Sequence, residues 1–332
     1  MKTLFLLFLF CHVSSPVKHS LKFLSTVSSG IQNLPYLMIS VFVDDVHAGS
    51  CNSNKTLEIK QDVFKQLFKD NPQNLKQFTQ LCFELLPVRF KLVLDRCMQL
   101  FNHSGGVHIL QKMSGCESDE QTGETVFEQN GYDGEDFMSL DLKKRTWISL
   151  RPEADVITQE WNTDKPGMER YVQLFAQNYP KWLRTAVKYG ESFLLRTVRP
   201  SVSLLQTSPS SPVSCHATGF YPDRATMFWR KDGQDLHEDV DHGEILPNQD
   251  GTFQMTVDLN ISSVKPEDWT RYDCVFQLNG VKDDIIIKLD KAAIRTNKVS
   301  HVHAVVGGVV GLMLFAVCIT GLMIWRKRKN NG

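Results

Sequence analysis

Ser214-Cys215-His216-Ala217-Thr218-Gly219-Phe220-Tyr221-Pro222 is the stretch of this 332-residue chain that decides its fold. Trp229 follows 14 residues after Cys215 (229 − 215), and Cys274 lies 59 residues after Cys215 (274 − 215), with Tyr272 two residues before it. Two cysteines at this separation, with those aromatic residues, are typical of a two-sheet β-sandwich whose tryptophan packs on an inter-sheet disulfide. The sequence therefore predicts an all-β sandwich closed by a disulfide between Cys215 and Cys274.

The two ends of the chain predict its compartment. Residues 1–16 have the pattern of a signal peptide, because Lys2 precedes an apolar run and the small residues Ser14 and Ser15 follow it. Residues 304–325 carry no charge, and as a helix they would extend about 33 Å, enough to cross a bilayer core of about 30 Å. The basic run at 326–329 starts a short tail, residues 326–332, that stays on the cytoplasmic side. We expect a single-pass type I protein of the plasma membrane with an extracellular N-terminal part.

Composition narrows the partners and the redox environment. The chain has 37 basic and 37 acidic residues, so its net charge is zero and no nucleic-acid partner is indicated. Disulfides form in the extracellular space, so the cysteines of the predicted extracellular part are candidates for pairing: positions 51, 82, 97, 116, 215 and 274. Three asparagines begin Asn-X-Ser/Thr sequences and are candidate N-glycosylation sites: Asn54, Asn102 and Asn260.

The region before the sandwich has two halves with one pattern. Apolar residues alternate in part over 19–27 and 36–43, which predicts neighbouring strands, and residues 60–101 then show helical spacing that Pro72 and Pro87 should break or bend. The second half repeats this order, with strands predicted at 107–114, 124–129 and 137–142, a turn at Trp147, and a helix over 154–193. The predicted fold is α+β: one antiparallel sheet with two long helices on one face, followed by the sandwich and a transmembrane helix.

Several motifs carry a resemblance to a known family. The residues concerned are Gly105-Gly106-Val107-His108, Met113-Ser114-Gly115-Cys116, 131–137, Leu140-Asp141-Leu142, Trp147, Trp161, Trp182-Leu183 and Leu195-Arg196-Thr197. Through them the chain resembles a major histocompatibility complex class I heavy chain. It looks like those of bony fish, and like an atypical lineage that does not present peptides.

The resemblance implies a domain order and a partner. It implies a first platform domain over 17–105, a second over 106–198, an immunoglobulin C1-like domain over 199–290 and a juxtamembrane linker over 291–303. Members of the family pair non-covalently with β2-microglobulin, and their two helices hold a ligand in the groove between them. The role expected from the resemblance is immune recognition by T-cell or other immune receptors.

The groove departs from the family at the positions that hold the ends of a peptide. Peptide-presenting members bind both charged ends with a ring of Tyr, Thr, Lys and Trp side chains, and a buried terminus without such partners is costly. By resemblance, only Trp161 and Trp182 of that ring remain, and the other positions carry Phe23, Leu75, Leu100, Phe137, Ile157, Glu160, Leu174 and Ala186. Glu160 would repel a peptide carboxylate. The pattern therefore disfavours peptide presentation, which stays an alternative.

Several occupants of the groove remain open. An apolar ligand such as a lipid suits inward-facing Leu75, Phe78, Cys82, Leu85, Leu100 and Leu174. The same side chains could instead pack the helices together and close the groove. On the floor, Lys112, Ser114, Glu128 and Asn130 should point upward, where Lys112 and Glu128 could pair or grip a polar head group. No residue pattern in the sequence favours a small metabolite as the ligand. Transport of a ligand or of immunoglobulin is a further alternative function.

The disulfide pattern also departs from the family. Peptide-presenting members pair the cysteine at position 116 with one three residues before the helix tryptophan, where this chain has Tyr179. Cys116 is then free or paired with Cys51, Cys82 or Cys97. Cys82 and Cys97 would lie about 22 Å apart on a straight helix, beyond disulfide reach, and the other pairings stay open. For each of these cysteines a buried, inert thiol is the favoured interpretation over a reactive one.

Two further features concern partners and chemistry. By resemblance, the acidic loop 236–244 aligns with the loop that T-cell co-receptors bind. The candidate contact residues are Glu238, Asp239, Asp241 and Glu244. A solvated hairpin loop without a partner is an equally favoured interpretation. The sequence contains no phosphate-binding glycine loop, zinc helix motif or nucleophile elbow, and His301-Val302-His303 is only a weak metal signal. We expect neither an enzyme nor a cofactor.

Overall fold

The computed structural model describes residues 18–119, 123–208 and 210–296. The predicted signal peptide, transmembrane span and tail, together with His301 and His303, lie outside these residues. Among the described residues, no helix is both long and apolar enough to cross a membrane. The chain forms two compact units, one containing residues through Pro200 with Thr218–Arg224 and Ile245–Gln254, the other containing the rest of the sandwich.

A single eight-stranded antiparallel sheet forms the floor of the N-terminal unit. Its strands lie in the order β4-β3-β2-β1-β5-β6-β7-β8, with the bounds β1 Lys18–Ser28, β2 Leu37–Val43, β3 Val46–Asn52, β4 Leu57–Ile59, β5 Ile109–Asp119, β6 Gly123–Tyr132, β7 Glu135–Asp141 and β8 Thr146–Ser149. The two halves meet where β1 pairs with β5 along its whole length. The predicted platform of one sheet carrying helices is confirmed.

Three strands were not recognised in the sequence. The short strands β3 and β4 were not predicted, and Trp147 was wrongly expected in a turn, whereas it lies in β8 opposite Leu140. The side chain of Asn162 pairs with this edge strand: its Oδ1 accepts from the Trp147 N–H at 2.7 Å and its Nδ2 donates to the Trp147 C=O at 2.9 Å. The backbone groups that an edge strand leaves open are thus satisfied by a helix side chain.

The first helical region is divided where prolines occur, as predicted. It consists of α1 Asp62–Asp70, α2 Pro72–Gln80, a π-helical turn Leu81–Leu85 and α3 Leu86–Leu100. Pro72 begins α2, where its missing N–H costs nothing. The π-turn ends at Leu85, two residues before Pro87, whose ring would clash with the carbonyl four residues earlier in a regular helix.

The second helical region differs from the single helix predicted over 154–193. A 3₁₀ turn, Pro152–Ala154, leads into α4 Asp155–Thr163, and α5 Lys165–Leu194 follows. The break falls at Asp164, whose carboxylate accepts a hydrogen bond from the Gly167 N–H at 3.0 Å and so caps α5. Pro166, in the first turn of α5, supplies no N–H to continue α4.

A disulfide joins Cys51 on β3 to Cys82 in the π-turn. This pairing decides among those left open by the sequence, and Cys97 and Cys116 are free and buried. Burial raises the pKa of each of these two thiols to about 12. They are therefore protonated at neutral pH, as expected of inert thiols.

The C-terminal sandwich has two sheets, with β13-β15-β10-β9-β18 in one, where β14 also pairs with β15, and β12-β11-β16-β17 in the other. The bounds are β9 Ser201–Gln206, β10 Val213–Phe220, β11 Ala225–Lys231, β12 Gln234–Asp235, β13 Val240–His242, β14 Leu246–Pro247, β15 Phe253–Leu259, β16 Tyr272–Leu278, β17 Ile285–Lys288 and β18 Ile294–Thr296. A disulfide joins Cys215 to Cys274, and the fully buried Trp229 donates from Nε1 to the Val257 carbonyl at 3.0 Å. This is the core that the opening stretch of sequence predicted.

Two predicted loop regions of the sandwich contain strands. The acidic segment 236–244 includes β13, which pairs with β15, so Asp241 lies in a strand; Glu238, Asp239, Asp241 and Glu244 are all exposed. Strand β18 lies within the segment 291–303 predicted as a linker and pairs in parallel with β9.

Candidate functional site

A ladder of aromatic side chains fills the middle of the groove between the helices. Tyr171, Phe175 and Tyr179 recur every four residues along α5, so they share one face of that helix. Neighbouring ring centroids lie 4.4 and 4.7 Å apart, and all three side chains are buried. Phe23 from the floor stacks on Tyr179 at 5.0 Å. The centre of the groove is therefore occupied by the chain itself.

A buried ion pair lies beneath this ladder. Lys112 Nζ lies 2.7 Å from Glu128 Oε1, and the two side chains are only 9% and 2% exposed. Lys112 also donates to the Tyr171 hydroxyl at 2.8 Å, and that hydroxyl donates to the Glu128 carboxylate at 2.7 Å. Burial lowers the pKa of Lys112, an effect that the Glu128 carboxylate opposes. The charges of Lys112 and Glu128 are thus compensated within the fold, in the pairing that the sequence suggested.

The other polar floor residues are also buried. The Ser114 hydroxyl lies 3.1 Å from the Tyr179 hydroxyl. Asn130 is 6% exposed, and its Nδ2 has no hydrogen-bond partner among the residues that the structure describes. Of the four polar floor residues, Lys112, Ser114 and Glu128 thus pair within the protein, and Asn130 keeps an unpaired donor.

An apolar cavity of about 100 Å³ lies at one end of the groove, under α1 and α2 and beside α5. Its wall includes Phe23, Val41, Phe64, Phe78, Trp182 and Ala186. A second cavity of about 60 Å³ adjoins it toward the ladder and shares Phe23, Phe78 and Trp182. This end of the groove offers an apolar surface and almost no polar groups.

A larger and more open cavity lies at the other end. It measures about 360 Å³ and is lined by α3, α4, α5 and Trp147. The guanidinium carbon of Arg89 lies 4.1 Å from the ring centre of Tyr171 and 6.0 Å from that of Trp161. Arg89 therefore stacks on aromatic faces, which is a favourable setting for a cation.

Polar bridges join the two helical regions near both ends of the groove. Asn71, between α1 and α2, donates from Nδ2 to the Tyr189 hydroxyl at 2.8 Å. Arg96 of α3 and Glu160 of α4 form an ion pair at 3.7 Å. The groove is therefore short, and an extended chain could not lie through both ends without breaking these contacts.

The structure brings together most of the predicted groove residues. Phe23, Phe78, Cys82, Lys112, Ser114 and Trp182 line the 60 Å³ cavity. Glu128, Asn130 and Trp161 surround a small void beside Lys112.

The remaining predicted positions do not contribute to the groove in the expected way. Within the described part of the chain, Leu75, Leu100 and Glu160 line none of these cavities. Leu85 is 54% exposed and is not directed inward. Cys82, although it lines the 60 Å³ cavity, is part of a disulfide. The side chain of Leu174 lies outside the described residues.

Comparison with known proteins gives the family. Residues 17–194 match the family model of "Class I Histocompatibility antigen, domains alpha 1 and 2", which is more than half of the chain. The chain belongs to the class I histocompatibility antigen family. Residues 197–280 match the "Immunoglobulin C1-set domain" model, in agreement with the Cys215, Trp229 and Cys274 core.

The class I chain is similar to relatives of two kinds. It is 29% identical over 262 residues to "Major histocompatibility complex class I-related protein 1" of Bos taurus, covering 77% of this chain and 74% of the relative. The protein of that name from Rattus norvegicus is 28% identical over 260 residues, with coverage of 77% and 73%. The "Class I histocompatibility antigen, B alpha chain" of Saguinus oedipus is 24% identical over 328 residues, covering 94% and 86%.

The residues that fill the groove of this class I chain were not predicted from the sequence. Tyr171, Phe175 and Tyr179 were detectable as aromatic residues at four-residue spacing, a pattern that marks one face of a helix. Arg89 gave no distinguishing signal, because a charged residue on a helix usually faces solvent.

Proposed function

We propose that this protein is a membrane-anchored class I-like molecule for immune recognition, acting by binding and not by catalysis, whose groove holds an apolar ligand. The observation that carries this proposal is the apolar cavity bounded by Phe23, Phe64, Phe78, Trp182 and Ala186. Its wall offers contact to carbon atoms and little to polar groups, which suits an alkyl or other hydrocarbon segment.

A shortage of partners for the ends of a peptide supports an apolar ligand over a peptide. The positions that by resemblance hold peptide ends carry residues without hydroxyls, and Phe137 and Ile157 are at most 1% exposed. Each charged terminus left without partners in a closed groove would forfeit on the order of 1–3 kcal/mol. The aromatic ladder would also have to leave the centre of the groove. An extended peptide is therefore disfavoured both by its unpaired ends and by the side chains in its path.

The size of the cavity limits the ligand. A volume of about 100 Å³, with an adjoining 60 Å³, is well below the several hundred Å³ of a typical drug-sized pocket. A dry apolar cavity of similar size can nevertheless bind a small hydrocarbon. Each buried methylene stabilises the complex by about 0.8 kcal/mol, so a short alkyl segment suffices for measurable affinity.

The cavity can be tested by filling it. We expect molecules released from the purified full-length protein to be apolar and of low mass, and Ala186→Phe to reduce their amount about tenfold, since about two methylenes of contact would be lost. Mass spectrometry of the released material measures this. Ala176→Phe is the matched control, because it makes the same change at an exposed position of α5 and should leave the yield unchanged.

Other results would support other functions. Released peptides of a shared length would show peptide presentation. If neither wild-type protein nor the Ala176→Phe control released any ligand, the groove would be a closed platform. A ligand retained in full by Ala186→Phe would place the occupant elsewhere in the protein.

We further propose β2-microglobulin as the partner subunit. Family membership suggests it, and the face of the sheet opposite the helices supports it. Leu24, Met38 and Met113 alternate with groove-facing residues and are 42%, 52% and 37% exposed. Leu24 lies directly opposite Met113 across β1 and β5, so they form one apolar patch. Such a patch on a protein surface is typical of a docking site.

The partner proposal predicts the effect of a charge on this patch. Met113→Asp should reduce the β2-microglobulin that co-purifies with the full-length chain at least about tenfold, because a carboxylate at the centre of an apolar interface is desolvated without a partner. Val88→Asp is the control, since Val88 is 63% exposed on the helical face. Equal recovery of β2-microglobulin with both variants would contradict the proposed docking face.

The surface positions predicted from the sequence fit this role. Asn54, Asn102 and Asn260 are exposed, and we propose that they carry N-linked glycans. The exposed carboxylates around β13 remain candidates for a basic co-receptor surface.

A further inference from the structure

Three aromatic side chains separate the two apolar cavities at one end of the groove. The cavities measure about 100 and 60 Å³, and the residues that line both of them are Phe23, Phe78 and Trp182. A ligand in the larger cavity therefore meets this aromatic wall before it reaches the smaller one. The wall sets how far into the groove a ligand extends.

Two of the three wall residues are fixed by the aromatic ladder. Phe23 stacks on Tyr179 with ring centroids 5.0 Å apart, and the Trp182 ring lies 5.7 Å from that of Tyr179. Tyr179 is itself buried, and its hydroxyl lies 3.1 Å from the Ser114 hydroxyl. Phe23 and Trp182 thus belong to the packed centre of the platform, and changing either would disturb that packing.

Phe78 is held less firmly than the other two. It projects from α2, none of whose nine residues is buried. Within the described part of the chain, its close ring neighbour is Phe68, with the centroids 5.9 Å apart and the rings tilted. The size of the side chain at position 78 can therefore change with little effect on the core, which makes Phe78 the wall residue that determines ligand length.

The larger cavity opens between the two helical regions. The amide of Asn74 on α2 and the hydroxyl of Thr185 on α5 contribute to its lining, and both residues are partly exposed. Asn74 and Phe78 are four residues apart, so they share one face of α2. A polar head group at this mouth can accept a hydrogen bond from the Asn74 amide, while a chain attached to it runs inward toward Phe78.

We propose that the ligand is a single straight alkyl chain with a polar head group, and that Phe78 sets its maximum length. This rests on the apolar ligand proposed above and names its shape. A volume of about 100 Å³ is below the roughly 150 Å³ of an apolar cavity that holds benzene, so an unbranched chain fits better than a ring. The chain enters between Asn74 and Thr185, fills the larger cavity and ends against the Phe78 ring.

Calorimetric titration of the full-length protein in lipid nanodiscs tests the proposal. The probes are the straight-chain carboxylates from butanoate to dodecanoate, with protein-free nanodiscs as the blank. In the wild type, affinity should rise about fourfold for each added methylene and then level off, because further methylenes find no space. Phe78→Ala joins the cavities, so affinity should keep rising, and the longest probe should bind at least about tenfold more tightly than to the wild type.

Three further variants separate chain length from other effects. Phe83→Ala is the matched control, because it makes the same change in the π-turn at a residue that lines neither cavity; its affinity should level off at the wild-type length. Leu86→Phe fills the smaller cavity, which Leu86 lines, and should cancel the gain of Phe78→Ala when the two are combined. Phe78→Leu should give a smaller gain and decides alone if Phe78→Ala fails to fold.

The proposal for Phe78 and the proposal of an apolar ligand fail in different ways. If Phe78→Ala and Phe78→Leu level off at the wild-type length, or if Phe83→Ala lengthens the limit equally, Phe78 does not set the length. The apolar ligand then still stands where Ala186→Phe weakens the binding of every probe. If the wild type binds none of the probes, or if Ala186→Phe binds all of them as tightly as the wild type, both proposals are wrong.

Discussion

Replacing Lys112 by methionine is expected to lower the free energy of unfolding by about 3–5 kcal/mol, because the variant leaves the Glu128 carboxylate buried without its cation. Glu128 is 2% exposed, and in the described part of the chain its carboxylate would keep the hydrogen bond from Tyr171 but no cation. Methionine has a similar length and packs against the surrounding Phe90 and Phe175 rings, so the loss reflects the charge and not a cavity. Urea-induced unfolding of the purified protein measures it.

The paired variant separates the charge from the packing. Removing both charges with Lys112→Met and Glu128→Leu should bring stability back to within about 1 kcal/mol of the wild type, or above it, since a buried ion pair is often replaceable by apolar residues. Lys91→Met is the surface control: Lys91 pairs with Asp95 at 3.2 Å but is 62% exposed, and its loss should cost less than about 0.5 kcal/mol. If Lys112→Met costs as little as Lys91→Met, Glu128 is not an unpaired buried charge in that variant.

Removing the Cys51–Cys82 disulfide is expected to lower the free energy of unfolding by about 3–4 kcal/mol. The bond closes a loop across a sequence separation of 31 residues, and in the chain-entropy model such a loop constrains the unfolded chain by about that amount. The double variant Cys51→Ala, Cys82→Ala tests this without touching the disulfide of the sandwich.

The location of the effect is also expected. Cys82 lies in the π-turn between α2 and α3, so hydrogen exchange should increase first in α2 and that turn. Cys97→Ala is the control, because Cys97 is buried and free and its truncation leaves only a small cavity, at about 1 kcal/mol. Equal stability of the double variant and of Cys97→Ala would show that the link between β3 and the helix contributes nothing beyond packing.

Much of the architecture could be predicted because it depends on local sequence patterns or on residues at fixed spacings. The strands around 19–27 and 36–43 show partial alternation, and Cys215, Trp229 and Cys274 hold positions that a sandwich core requires. Strands β4 and β8 have only three and four residues, too few for a period of two to show. Trp147 is in a strand because it pairs with Leu140 of β7. Asn162, fifteen residues later, satisfies the backbone groups on its other edge, and no local sequence pattern predicts that contact.

The candidate site was predicted less completely than the fold. Resemblance identified Phe23, Leu75 and Glu160 as positions without peptide-holding groups. It did not show that Tyr171, Phe175 and Tyr179 fill the centre, or that Arg96 meets Glu160 and Asn71 meets Tyr189 across the groove. Such contacts depend on the distance between two helices, which neither helix encodes alone.

The sequence by itself determined the order of the longer platform strands and of the two helical regions, the core of the sandwich, and the breaks at Pro72 and Pro87. These follow from residue type at a fixed spacing, whereas the lack of hydroxyls at the family's peptide-holding positions follows from the resemblance. Only the tertiary structure decided that Cys51 pairs with Cys82, and that Glu128 balances the buried charge of Lys112 while the Tyr171 hydroxyl hydrogen-bonds to both. Disulfides and buried ion pairs depend on distances of a few ångströms between residues far apart in the chain, and packing of the sheet and helices sets those distances.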